Sequence, residues 1–359
     1  MRVLVVAVSA RMLAELAVAN GYEVIGLDHF GDVDLRAVAD GATAPSSDGL
    51  TALADDVDAD AVVYGAGFEN RPDLVARLAH GRELLGTPPE ALASVRDPWA
   101  LGAAARAAGA RAPETRSSAE LPRAEPGRWL RKPTRGGGGR GVRRWAGGRL
   151  RPSEIVQRFV AGLSCSAVAI GDGHRATVLG VTEQLHRRPG FGWMGNVAPA
   201  RLTEAELAEL DGQLRAVCAE VAGRFGVRGA FGVDAIWDGR HAWVLEVNPR
   251  PPASLELFGP GCFEGHVRGA RGLALPAPGV PAQRCSGVKL VLFAQRDLRA
   301  PDPGWWPPGL VRDVPHGGEE IRRGGPVCTL LSDRAGAAEL ARLGARLLSA
   351  LPQAVAPGA

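Results

Sequence analysis

Lysine is nearly missing from this chain. Of 42 basic side chains only Lys132 and Lys289 are lysines, so arginine has taken over the ordinary surface cations. A lysine that persists is a candidate for a place where a compact ammonium must sit close to an oxygen. An excess of charge is missing too. The net charge of +3 is small, and the arginines are spread among 39 acidic residues, so no nucleic-acid partner is expected. Cysteine is scarce: Cys165, Cys218, Cys262, Cys285 and Cys328 are odd in number, far apart and without C-x-x-C spacing. That pattern argues against a disulfide scaffold and a structural zinc site, and it fits a reducing cytoplasm. No apolar run approaches a membrane span, so no membrane partner is expected. The opening MRVLVVAVSAR has the short apolar run of a secretory leader, but Met12, Leu13, Leu16 and Ala17 follow at helical spacing before the run YEVIGLD. The better reading is strand, helix, strand. There is no internal repeat and no coiled coil.

What is present is apolar content of 46% over 359 residues, enough for a large core and two or three domains of α/β class. Residues 1–92 read as an open parallel α/β domain: VLVVAV, a helix ending at Asn20-Gly21, EVIGLD, then the buried run in DADAVVYGAG. The first turn, VSAR, lacks the glycines that let a dinucleotide approach the backbone, so Asp28 reads more readily as structural than as a ribose ligand. In GAGFENRP, Pro72 suits a first helical position, which leaves Glu69 and Asn70 at a strand's carboxyl end, where open α/β sheets place ligands. A helix capped by Asp97, with Pro98 first and Gly109 past its end, opens a central domain over residues 93–282. Its β-rich, arginine-rich part, about 112–170, reads as a small lid. Thr203 and Glu206 form a capping box for a long core helix with Leu207, Leu210, Leu214, Val217 and Val221 on one face. Residues 283–359 read as a C-terminal extension packing on the core, with SGVKLVLFA and VCTLL as strands and a closing helix over 334–349. Trp305 and Trp306 read as packing residues.

Two stretches carry chemistry. In WLRKPTRGGGGRGVRRW, Gly136, Gly138 and Gly141 match G-x-G-x-x-G, but the run lies between two strand-like segments and lacks the Gly-Lys-Ser/Thr ending of a Walker loop. It is a hairpin tip, either a plain turn or a mobile cover whose backbone N–H groups close over phosphates. Consecutive glycines cost roughly 0.5–1 kcal/mol each against alanine, which weighs against the plain turn. In FGVDAIWDGRHAWVLEVNPRP, a three-residue hairpin loop Gly-Arg-His puts Trp237 opposite Trp243 and Asp234 opposite Glu246. One face is then Val233, Ala235, Trp237, Trp243, Leu245 and Val247, and the other gathers Asp234, Glu246 and Asn248. Two carboxylates and an amide oxygen are hard ligands suited to Mg²⁺, the alternative being a solvated polar face.

The order of strand-Lys-Pro, glycine loop, IVQRFVAG at 155–162 and then D-x11-E-x-N-P-R resembles the ATP-grasp superfamily, and E-x-N-x-R is most similar to its biotin carboxylase branch and purine-pathway relatives. GAGFEN is similar to the strand and turn that this branch places beside its substrate. The resemblance implies an ATP-grasp architecture, with the parallel α/β domain first, a small lid, and a central antiparallel sheet. It implies that Lys132 contacts ATP, that Gly136, Gly137, Gly138, Gly139 and Gly141 cover the β and γ phosphates, and that Gln157, Phe159 and Val160 line the adenine hinge. Glu246 and Asn248 would hold Mg²⁺, or Mn²⁺, with Asp234 assisting, and Arg250 would face the transferred phosphate, making Arg250 and Lys132 the catalytic pair. Two departures stand out: Arg96-Asp97-Pro98 where the family commonly has its first ATP lysine, and Ser164 where it commonly has a ribose-binding acid.

The implied activity is an ATP-dependent ligase joining a small-molecule carboxylate to an amine through an acyl phosphate; a small-molecule kinase and a non-catalytic nucleotide binder are the alternatives. A homodimer is compatible with the resemblance. TEQLHRRPGFGWMGNVAP and DVPHGGEEIRRGGPVCTLL resemble a subgroup some of whose members accompany tetrahydromethanopterin-type one-carbon cofactor pathways, which implies coenzyme biosynthesis. Gln184, His186, Trp193 and Asn196 are candidates to face the substrate; a lid-edge loop without ligand contact is the alternative.

Overall fold

The computed structural model describes residues 1–121, 125, 127–275 and 286–353. The chain opens with β1 (Arg2–Val6), α1 (Arg11–Ala19), β2 (Glu23–Asp28), α2 (Val33–Val38), β3 (Asp40–Thr43), α3 (Ser47–Ala54), β4 (Ala61–Tyr64), α4 (Pro72–Leu78) and β5 (Glu83–Leu84). These strands form a parallel sheet in the order β3-β2-β1-β4-β5. The central strands are uninterrupted apolar runs because helices cover both faces. Asp28 is fully buried and accepts the N–H groups of Ala10, Phe30 and Gly31, a structural role that holds the two loops beyond β1 and β2.

Two helices follow, α5 (Pro89–Val95) and α6 (Pro98–Ala107), the second capped by Asp97 as its sequence predicts. The lid is a four-stranded sheet of β6 (Thr115–Arg116), β7 (Trp129–Pro133), β8 (Arg143–Trp145) and β9 (Glu154–Arg158) in the order β6-β9-β7-β8. Trp129 faces Trp145 across the β7–β8 hairpin, and with Val156 they make a miniature core of their own. Gly162 ends the lid at a close approach: a β-carbon there would overlap the carbonyl oxygen of Trp237.

The next strand, β10 (Leu163–Asp172), was expected within the lid but belongs to the large sheet. Its faces alternate, with Cys165, Ala167 and Ala169 toward one core and Val168 and Ile170 toward another, so it is sandwiched between two layers. Around it lie β11 (Ala176–His186), β12 (Trp193–Ala198), the long helix α7 (Glu204–Phe225) with its Thr203/Glu206 capping box, β13 (Arg228–Trp237), β14 (Ala242–Asn248) and α8 (Gly261–Ala270). α7 packs on one face of the sheet, and α8 with the N-terminal domain on the other.

The C-terminal segment extends this sheet instead of packing on it from outside. After β15 (Gly287–Phe293), β16 (Leu298–Arg299), β17 (Val311–Arg312), β18 (Glu320–Ile321), β19 (Pro326–Ser332) and α9 (Ala337–Ala350), the order is β14-β13-β10-β11-β12-β15-β19-β17. Trp306 is buried in this part, while Trp305 meets it edge-on at 5.0 Å and stays 40% exposed.

A buried ionic cluster joins the segments. Arg11, only 1% exposed, donates to Glu256 and Asp313 at 2.9 Å each and pairs with Glu15, while Lys289 reaches Glu256 at 2.7 Å. The segment at Asp313 is further fixed because its own N–H and that of Val314 donate to Asp34 and the Val33 N–H donates to Val314. Among the described residues no helix is long and apolar enough to cross a membrane.

Candidate active site

The β13–β14 hairpin places Asp234 opposite Glu246 as expected, but by a different route. The tip is four residues long because the Asp238 carboxylate accepts the N–H groups of Arg240 and His241, so Trp237 pairs with Ala242 and Trp243 falls opposite Ile236. A bulge between Asp234 and Ala235 then takes up one extra residue. The strand's facing pattern changes with it: Ala242 and Val244 enter the core, whereas Trp243 turns outward to donate to Asp238 beneath the Arg111 guanidinium. Leu245, expected in the core, lines a cleft instead.

That cleft is narrow, lies between lid and large sheet and is lined by Arg96, Lys132, Ile155, Gln157, Leu245 and Glu246 among others. The Lys132 ammonium donates to the Gln157 side-chain oxygen at 3.0 Å, and Gln157 in turn donates to Thr115. Burial pulls the Lys132 ammonium below its ordinary range, against the opposing pull of Glu246. Gln157 thus acts through its side chain, by holding the lysine. Phe159 turns its ring to Arg144, whose guanidinium lies 3.7 Å from the ring centroid, and its N–H donates to Arg128; Phe159 and Val160 lie on the connector to Gly162 and not among the residues lining the cleft.

Arg96, noted from sequence only as a departure, stands at the centre. It donates to Asn70 at 3.2 Å, to the carbonyl of Val247 at 3.0 Å and to the carbonyl of Gly136 at 2.7 Å, joining N-terminal domain, large sheet and glycine tip. Its fork also lies 3.9 Å from Glu246. Arg250 pairs with Glu69 at 3.3 Å and donates to the Asn248 side-chain oxygen at 3.4 Å, while its buried Nε has no partner among the described residues. Burial alone would raise the Glu69 carboxyl, but Arg250 and nearby backbone N–H groups outweigh it and hold it below the ordinary range.

Asp234 accepts from Ser166 at 2.7 Å and from the Asn248 amide at 3.1 Å. Burial first, then the neighbouring Glu246 carboxylate, raises it to about 6. Two carboxylates held together at this cost suit a divalent cation that would relieve their repulsion; the Asn248 side chain turns its amide nitrogen to Asp234 and its oxygen to Arg250, so the oxygen would face an ion there only after the amide turns over. Among the described residues no cluster of three or more His, Cys, Asp or Glu side chains is arranged to hold a metal alone, so an ion here would draw further oxygens from a ligand.

The hairpin of β11 and β12 borders the same region. Gln184 accepts from Ser164 at 2.9 Å and lies beside Asp234, whose carboxyl it helps to lower against burial. Asn196 is buried and committed to Thr182 and to the Trp193 indole N–H, so it braces the hairpin. His186 is half-buried, and burial followed by Arg188 lowers its imidazole below the ordinary range.

Residues 95–254 match the profile of an ATP-grasp domain. The structure is similar to biotin carboxylase from Campylobacter jejuni (TM-score 0.67, 16% identity, covering 92% of this chain and 87% of that one). It is also similar to N5-carboxyaminoimidazole ribonucleotide synthetase from Thermus thermophilus (TM-score 0.67, 20% identity, all of both chains). A third likeness is to N5-carboxyaminoimidazole synthetase from Staphylococcus aureus complexed with ADP (TM-score 0.65, 17% identity, covering 97% of this chain and 96% of that one). A comparison with curated proteins gave no match. At such identities the likeness is one of fold, and the fold is ATP-grasp.

Proposed function

We propose that this chain is an ATP-dependent ligase that activates a carboxylic acid as an acyl phosphate and joins it to an amine, releasing ADP and phosphate. The supporting observation is a cleft that Lys132, Arg96 and Glu246 line together, with Arg96 bonded to the glycine tip at Gly136, Asp234 paired opposite Glu246, and Asn248 linking Asp234 to Arg250. In the first step the acid's oxygen bonds the γ-phosphorus as the bond to the β-phosphate oxygen breaks; in the second the amine nitrogen bonds the acyl carbon, phosphate leaves, and the nitrogen loses a proton. No nucleophilic side chain is required, and the protein's contribution is positioning and charge neutralisation.

Lys132 supplies a compact charge for a phosphate, and Gln157 keeps it aimed. Arg250, fixed by Glu69, keeps an unpaired Nε–H that a carboxylate or phosphate oxygen of the substrate would satisfy; leaving such a donor unmet costs about 1–3 kcal/mol. Asp234, Glu246 and Asn248 would hold Mg²⁺, with Mn²⁺ an acceptable substitute for the same oxygen donors. Its chemistry there would be to neutralise phosphate charge.

The test is ADP release with pooled acids and amines, beginning with pterin- and furan-type acids because of the likeness carried by residues 182–199. With the right acid and no amine, hydroxylamine should trap a hydroxamate, and Arg250→Ala should abolish it with a smaller loss of ATP binding. Stoichiometric AMP and pyrophosphate would overturn the γ-phosphate route. Stable phosphate on a hydroxyl would make the enzyme a kinase.

A further inference from the structure

The glycine tip is gripped by protein on both sides. Arg96 donates to the Gly136 carbonyl from within the cleft, and on the other side the Trp193 N–H donates to the Gly138 carbonyl at 2.9 Å. Gly139 approaches the same neighbour so closely that a β-carbon on it would overlap the carbonyl oxygen of Phe191. Arg144, on the second strand of the lid hairpin, sets its guanidinium between Phe159 and Phe191, 3.7 and 5.9 Å from their ring centroids. The neighbour is the turn 187–192 between β11 and β12, closed on itself by the Arg187 N–H donating to Gly192 at 2.7 Å. The stem of that hairpin carries Gln184, which accepts from Ser164 and lies beside Asp234, whose carboxyl it helps to lower. One hairpin therefore runs from beside the metal-type carboxylates at its base to the lid at its end.

We propose that residues 187–193 are the seat of the lid, a positioning element that fixes where the glycine tip closes over a bound nucleotide. The inference rests on the reading of that tip as a nucleotide cover. Each edge of the tip is defined by a protein contact, so the closed position is set by the hairpin as well as by phosphates. A change at the turn would then act on nucleotide retention without touching the nucleotide, and a ligand lying along the hairpin would be sensed by the lid.

Two neighbouring glycines separate this role from simple backbone strain. Gly138 and Gly139 both adopt left-handed conformations, φ 60° and 69°, so alanine carries a comparable backbone cost at either. A methyl group at 138 meets nothing within 4 Å, whereas at 139 it strikes the turn. The experiment is calorimetric binding of a non-hydrolysable ATP analogue with Mg²⁺ to the full chain and to Gly138→Ala and Gly139→Ala, with hydrogen exchange of 129–145 and 187–193. Gly139→Ala should bind at least about ten-fold more weakly than Gly138→Ala, the factor carried by ~1.4 kcal/mol of lost docking. The analogue should slow exchange at 187–193 in the unaltered chain and in Gly138→Ala but not in Gly139→Ala. In a chain whose 187–192 turn is cut to Asn-Gly, the two alanines should cost the same. Equal losses in the natural chain, with exchange at 187–193 indifferent to nucleotide, would overturn the seat while leaving the ATP site standing. An analogue that neither binds nor protects 129–145 would remove the nucleotide reading and the inference together.

Discussion

Arg11→Met tests the buried cluster that ties the N-terminal domain to the C-terminal extension. The substitution keeps an unbranched apolar side chain in place of a guanidinium that is 1% exposed and donates to Glu15, Glu256 and Asp313. Removing one partner of a buried ion pair costs about 3–5 kcal/mol because the other charge is left without compensation. Lys289 still holds Glu256 at 2.7 Å, so the uncompensated charge falls mainly on Asp313, and the lower end, about 3 kcal/mol, is expected. The sign with pH follows from the carboxyls. Burial would raise Asp313 and Glu256, but Arg11 and then Lys289 outweigh it and hold both below the ordinary range. Their stabilising contribution is thus present above the ordinary carboxylate range and lost as pH falls through the folded values. In Arg11→Met burial acts on Asp313 against only Lys289 and the hydroxyls of Ser9 and Thr329, so the penalty is greatest near neutrality and fades as acid protonates it. Urea unfolding at about pH 7, above that range, and about pH 4, within it, should show the gap narrowing on acidification. Hydrogen exchange should show residues 28–34 and 311–316 opening on the order of 100-fold faster, the factor that ~3 kcal/mol carries. A gap below about 1 kcal/mol, the scale of an exposed pair, or one that does not change with pH, would refute the reasoning.

Glu246→Gln and Asn248→Ala should abolish turnover while leaving far-ultraviolet circular dichroism unchanged, since the core face of β14 is Ala242, Val244 and Val247; near-normal turnover of Glu246→Gln at limiting Mg²⁺ would contradict the ligand role. The lowered Lys132 ammonium predicts ATP affinity that declines on the alkaline side before an ordinary lysine would lose its proton, measured by calorimetry across pH. Affinity constant through that range would count against a phosphate contact. Gly162→Ala should lower the melting temperature and loosen the junction between lid and large sheet, because the added carbon meets the Trp237 carbonyl; a variant as stable as the parent would mean that the junction shifts freely.

The parts of this protein legible in the sequence are those fixed by neighbours in the chain. Asp97 and Pro98 start a helix, Thr203 and Glu206 close a capping box, and Asn20-Gly21 ends α1, each because the group satisfying the backbone lies a few residues away. The glycine tip was likewise recognisable as the end of a hairpin, since Trp129 and Trp145 flank it at matching strand positions. The candidate site was legible in outline, through Lys132 and the facing pair Asp234 and Glu246, because spacing on a strand decides which side chains share a face.

Tertiary structure decided what spacing does not carry. The facing pair was reached with the wrong tip and no bulge, two errors of one residue that cancel at Glu246 but not at Trp243 or Leu245. Side-chain hydrogen bonds of Asp238 set the tip, and a local motif does not record them. Arg96 meets Gly136 forty residues on, and Arg11 meets Asp313 across 302, contacts that exist only after the sheets have stacked. The sequence by itself determined which elements form and which carry hard oxygen ligands and cations, because backbone satisfaction and face alternation are short-range. Which of those charges neutralise one another in the core, and which are left facing the cleft, was settled by packing, because burial makes an unpaired charge costly and so selects its partner from anywhere in the chain.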